Sequence, residues 1–222
     1  MTWYLLVEFT WLKKKESILI HFTFEEMKQL TIHITQYLNA EIYVIIDFEE
    51  KKKVIMNIYN ILENHIFYSK NVTFVQDIMC MMNECNVNVT LNSLSDELLV
   101  ATWECMMLYD CFVEIDKKNI DSYVKLLMFL FKKNVSFDII NAAAMFMKWL
   151  SLFHKSLVAV MNLRKKKKLY AAKLLHVYFV SKMKQMFQYM QREKNIEKII
   201  VKMRKMNLVI INVHIFFKTN FM

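Results

Sequence analysis

A chain of 222 residues without a single glycine or proline lacks the two residue types that ordinarily punctuate a fold. Glycine is the usual occupant of positive-φ positions, and proline is the strongest breaker of a helix. Every left-handed or tight-turn position must therefore be taken by a residue with a Cβ, and asparagine tolerates that conformation best. The 17 Asn residues supply the substitutes. Asn71, Asn86, Asn92, Asn119, Asn134 and Asn207 all stand where one hydrophobic pattern gives way to another. Whole classes of chemistry fall away as well. A Walker loop, a GxGxxG dinucleotide turn, a GxSxG nucleophile elbow and an EF-hand loop each need glycine at fixed positions, so none is present in standard form.

Hydrophobic residues make up 56% of the chain, enough for a sizeable core and too many for a disordered segment. Lys outnumbers Arg 27 to 3. Since glycine and proline have GC-rich codons, two origins explain this composition: an AT-rich coding source, or an artificially restricted sequence.

Hydrophobic periodicity predicts an α+β, predominantly helical fold. Thr2–Leu12 and Ile18–Phe24 alternate apolar and polar residues and read as a hairpin. Thr23 with Glu26 matches a capping box opening a helix that runs to about Asn39. Ile42–Phe48 is a continuous apolar run typical of a central strand, and Asp47 and Glu50 can cap the next helix, with Val54, Ile55, Ile58, Ile61 and Leu62 on its inner face. Residues 1–70 thus read ββαβα. Beyond them the period becomes helical, over Phe74–Cys85, Ser93–Ile115, Ile120–Lys133 and onward from a Ser136 cap, predicting a helical bundle over residues 71–206. Residues 207–222 alternate again and read as a strand returning to the sheet. The expected organisation is one domain over residues 1–222, with a subdivision near residue 71 as the alternative. The best membrane window, Ile139–Leu163, has Lys148, His154 and Lys155 near its centre, so a buried helix is expected there and no transmembrane segment.

Charge is divided along the chain. Residues 1–116 carry eight Lys against 17 acids, and residues 117–222 carry 22 Lys plus Arg against four. The basic half is concentrated in Arg164, Lys165, Lys166, Lys167, Lys168 and Lys173, and in a helical ladder that includes Lys194, Lys198, Lys202 and Lys205. These ten residues are the candidate anion-binding surface, and the expected function is a non-enzymatic protein that binds nucleic acid with little sequence selectivity. A helical protein-interaction module with a Met-rich groove, and an unselected sequence with a fold and no activity, are the alternatives.

No catalytic residue, cofactor or metal is indicated. Cys80, Cys85, Cys105 and Cys111 lack zinc spacing and read as structural thiols in a reducing, intracellular compartment. Asp47, Glu49 and Lys51 resemble, over these few residues, the metal-dependent nucleases of the PD-(D/E)xK kind, for which the resemblance implies metal-assisted phosphodiester cleavage. A helix-start cap explains the same letters and is the preferred reading.

Overall fold

The computed structural model describes residues 16–21, 26–69, 76–77, 79, 87–94, 97–104, 106–115, 119, 121, 125–166, 175–190 and 198–202. The chain divides into two compact units, Met1–Ala171 and Ala172–Met222.

The first unit is built on six short strands: β1 (Ser17–His21), β2 (Glu41–Ile46), β3 (Ile66–Tyr68), β4 (Val89–Asn92), β5 (Cys111–Glu114) and β6 (Ser136–Ile139). They pair in the order β3-β2-β1-β4-β5-β6, and every pairing is parallel. Helices α1 (Glu26–Tyr37), α2 (Glu49–Tyr59), α3 (Glu97–Glu104), α4 (Ala142–Lys148) and α5 (Leu150–Lys165) accompany them. Strands covered on both faces read as unbroken apolar runs, which is why Ile18-Leu19-Ile20 and Ile42 to Ile46 show no alternation. Ile18, Ile20, Val44 and Ile46 pack with Ile32 of α1 and Ile55 and Tyr59 of α2 on one face. Leu19, Tyr43 and Ile45 pack with Ala101 of α3 on the other. Further along that helix, Trp103 is fully buried, stands edge-on to Phe112 and Phe137 at 5.3 and 5.6 Å, and donates its indole N–H to Leu127 O at 3.2 Å. Burying each such side chain contributes on the order of 2 kcal/mol. Strand order 3-2-1-4-5-6, all parallel, with helices on both faces, is the doubly wound Rossmann-like arrangement.

The second unit contains β7 (Leu175–Phe179) and β8 (Lys198–Lys202), paired in parallel, with α6 (Met183–Met190) between them. Met186 and Val201 are buried.

This architecture corrects the predicted helical bundle over residues 71–206. Within that span lie β4, β5 and β6, three strands of the parallel sheet. The segment 93–115, expected as one helix, holds α3 and then β5, and Ser136 opens β6 instead of capping a helix. A four-residue apolar strand has no period of its own, and with no glycine or proline to end it, it merges by pattern into the neighbouring helix. The hairpin is corrected too. Both edges of β1 are taken by parallel neighbours, so no antiparallel partner can pair along it; Thr2–Leu12 and residues 207–222 lie outside the described residues. Residues 139–163 form the end of β6, α4 and α5, not a buried helix. α5 leans on the core through Leu152, Val160 and Leu163 while Leu157 and Met161 are exposed. Among the described residues no helix is long and apolar enough to cross a membrane. The expected helix to about Asn39 corresponds to α1, with its Thr23 cap outside the described residues, and the expected strand and helix after it correspond to β2 and α2, although α2 ends at Tyr59, before Ile61 and Leu62.

Asparagine takes the left-handed positions at Asn39, Asn60 and Asn134. Asn60 ends α2, its N–H donating to Met56 O at 3.1 Å.

Candidate functional site

In a parallel sheet wound in this order, connections from adjacent central strands leave toward opposite faces and open a crevice at their C-terminal ends. Here the strands are β1, which runs into α1, and β4, which runs into α3. The polar side chains that finish the central strands gather along this edge.

His21 ends β1 and is fully buried. Its Nε2 lies 3.4 Å from Thr102 Oγ1. The Thr102 hydroxyl donates to Leu98 O at 2.8 Å. Asn92 ends β4 and Glu114 ends β5, and Glu114 is only 2% exposed. Asn92 Nδ2 donates to Glu114 Oε2 at 2.7 Å, and Asn119 Nδ2 donates to the same oxygen at 3.1 Å. Both amides also donate to Leu94 O, at 2.9 and 2.6 Å, while Asn92 Oδ1 accepts Leu94 N–H at 3.2 Å. A buried carboxylate needs such donors. The network pins the turn that leaves β4 against the exit of β5.

At the end of β2, Asp47 forms an ion pair with Lys51, one turn into the next helix. Lys51 is 6% exposed and its ammonium lies 5.5 Å from the centre of the Phe48 ring. Lys52 pairs with Glu63 at 2.6 Å and sits 5.8 Å from the Tyr68 ring centre. The hydrogen bond to Glu63 raises the Lys52 pKa, and the same bond lowers that of Glu63. Tyr68 donates its hydroxyl to the Glu49 carboxylate. Among the described residues no group of acidic, Cys and His side chains could hold a metal ion, and the turn before α2 has no side-chain cap hydrogen bond. Asp47 serves as the partner of Lys51, in place of either expected role.

Arg164 and Lys165 occupy the last turn of α5, with Lys166 next to it, all exposed; Lys198 and Lys202 begin and end β8. Lys167, Lys168, Lys173, Lys194 and Lys205 lie outside the described residues. The helical ladder is corrected, because a strand of period two runs through Lys198–Lys202 where a helix of period 3.6 was expected. Cys111 is a buried free thiol in β5, 3.4 Å from Asp138 Oδ2, and burial pushes its pKa up to about 12. Burial and the raised pKa both disfavour the reactive thiolate. Cys80, Cys85 and Cys105 lie outside the described residues.

From the sequence, Asn92 is legible only as a pattern break, and His21 and Glu114 have no role assigned. Their common signal is a short apolar run ending on a polar residue, seen in Ile18–His21, Val89–Asn92 and Phe112–Glu114.

No family model matches the chain. Among curated proteins it is similar to squalestatin hexaketide synthase of Phoma sp., 30% identical over 192 residues, which are 86% of this chain and 8% of that protein. It is 34% identical over 197 residues, 88% of this chain and 8% of the other, to the highly reducing polyketide synthase gloL of Glarea lozoyensis. The chain thus spans 8% of the length of these relatives. Among solved structures, CurK enoyl reductase superimposes with a TM-score of 0.74 at 23% identity, over 91% of this chain and 59% of that one. The nucleotide-binding subdomain of the enoylreductase domain of PpsC from Mycobacterium tuberculosis gives 0.66 at 20% identity, over 77% of this chain and 93% of that one. CurA of Vibrio vulnificus in complex with NADPH gives 0.68 at 12% identity, over 92% and 62%. These similarities overturn the expected non-enzymatic nucleic-acid-binding protein. They equally overturn its two alternatives, the Met-groove interaction module and the unselected sequence. What the chain resembles is a set of synthases and reductases, and the fold is the one those reductases share.

Proposed function

We propose that this chain is the nucleotide-binding part of a reductase of the kind found as enoyl reductase domains in polyketide synthases. The observation that carries the reading is the six-stranded parallel sheet in the order 3-2-1-4-5-6, with His21, Asn92 and Glu114 gathered at its C-terminal edge. The similarity to reducing polyketide synthases over most of the chain supports it.

The ligand of such a part is a nicotinamide dinucleotide, as in the NADPH complex of CurA. The two ends of the crevice differ. At the end of β2, where this fold presents an acidic residue to the adenosine ribose or a cation to a 2′-phosphate, the chain carries one of each, Asp47 and Lys51, paired with each other. At the turn from β1 to α1, where the pyrophosphate belongs, the residues do not fit: a backbone cradle needs positions without Cβ, and the chain has no glycine.

The test is a calorimetric titration of the 222-residue chain with adenosine 2′,5′-bisphosphate, the half of NADPH that meets β2. Saturable binding with a dissociation constant of about 1 mM or tighter is expected, undiminished by added duplex DNA. Absence of saturable binding removes the nucleotide-binding reading.

A further inference from the structure

The turn joining β1 to α1 is where a sheet of this order seats the dinucleotide pyrophosphate, and glycine does three jobs there. One glycine makes the tight turn, a second lets the backbone approach the phosphates, and a third lets the helix pack closely on the strand. In this chain the residues from the end of β1 through the first turn of α1 are Phe22-Thr23-Phe24-Glu25-Glu26-Met27-Lys28. All seven carry a Cβ, and four of the first five are Phe or Glu with long side chains.

Charge acts in the same direction. The N-terminus of a helix attracts phosphate through its free N–H groups and dipole. α1 begins at Glu26 and Glu25 precedes it in the sequence, so two acidic residues fall in the stretch that should attract an anion. Lys28 offsets one of these two charges. The β2 end differs, since Asp47 and Lys51 are both in place there.

Resting on the reading above, we propose that the dinucleotide affinity of this chain resides in the adenosine-ribose end at β2, and that the β1–α1 turn gives the pyrophosphate no net attraction. NADPH is then bound no more tightly than its adenosine half.

Calorimetric titration of the 222-residue chain with NADPH and with adenosine 2′,5′-bisphosphate tests this directly. The two dissociation constants are expected to agree within about threefold. NADPH binding more than about thirtyfold tighter than the half-ligand overturns the inference and leaves the nucleotide-binding reading intact. A variant with Thr23→Gly, Glu25→Gly, Glu26→Ala and Lys28→Gly places the fingerprint spacing across the turn and removes the acid at the start of α1. It is expected to bind NADPH about tenfold tighter or better with its half-ligand affinity unchanged. A folded variant that gains nothing for NADPH overturns the assignment to the turn. If neither protein binds either ligand, the nucleotide-binding reading fails and takes the inference with it. Should the variant not fold, the comparison of the two ligands on the native chain decides alone.

Discussion

Asp110, just before β5, is 2% exposed. Burial raises its pKa to about 6, against the opposing influence of the Met107 N–H, which donates to Oδ2 at 2.5 Å, and of Lys133. Below its ordinary value of 3.8 the carboxyl is protonated in folded and unfolded chains alike. As pH rises from there toward 6 the unfolded chain ionises first, so the folded state binds more protons and stability falls. The fall attributable to Asp110 is about 3 kcal/mol, complete once pH exceeds the folded value. Urea unfolding of Asp110→Asn across this window is expected to lack that component, leaving the variant more stable than the native chain at neutral pH. An unchanged pH profile would show that Asp110 is not held neutral in the fold. Its neighbour Tyr109 has φ of 65° and is 76% exposed. It is the one non-Asn residue in a left-handed conformation among those described, held by its N–H to Lys133 O at 2.9 Å. A bulky L-residue is costly there and the side chain packs little, so Tyr109→Gly is expected to stabilise the fold by about 1 kcal/mol, read as a raised urea midpoint. Asparagine as the substitute for glycine was legible in the sequence. Which asparagines do the job was not: of the six named from pattern breaks, Asn134 is left-handed, whereas Asn92 and Asn119 are buried donors to Glu114.

At the scale of elements, the network of Asn92, Asn119 and Glu114 joins β4 to β5 where the sheet meets its crevice. Removing Asn92 leaves a buried carboxylate with one fewer donor, a cost of about 2 to 3 kcal/mol. Removing Glu114 as well relieves most of that cost. A double-mutant cycle with Asn92→Ala and Glu114→Ala is therefore expected to give a coupling of about 1 to 2 kcal/mol; additive effects would deny that the two side chains act as a unit. These strands also show why half of the architecture was illegible. α1 and α2 are long enough to display a helical stripe, and β2 is six residues bounded by charge. β4, β5 and β6 are four residues each, only two repeats of a strand's alternation and about one turn of a helix, too few to tell the two apart. A chain that lacks glycine and proline gives such strands no visible ends.

For the molecule as a whole, the division of charge suggested a polyanion as partner, yet net charge bears on association and not on fold. The ion pairs around β2 lie entirely inside the acidic half, as Lys51 with Asp47 and Lys52 with Glu63. By itself the sequence determined the backbone economy of this protein: asparagine in left-handed positions, an apolar core, and the absence of any glycine-built phosphate cradle. It also determined α1, β2 and α2, whose patterns are local. Only the tertiary structure decided that six strands lie parallel in the order 3-2-1-4-5-6, and hence where the crevice falls. The reason is physical: Ile18 sits beside both Ile42 and Val89, and pairings across such distances in the chain are set by how crossovers pack on a twisted sheet, which no local periodicity records.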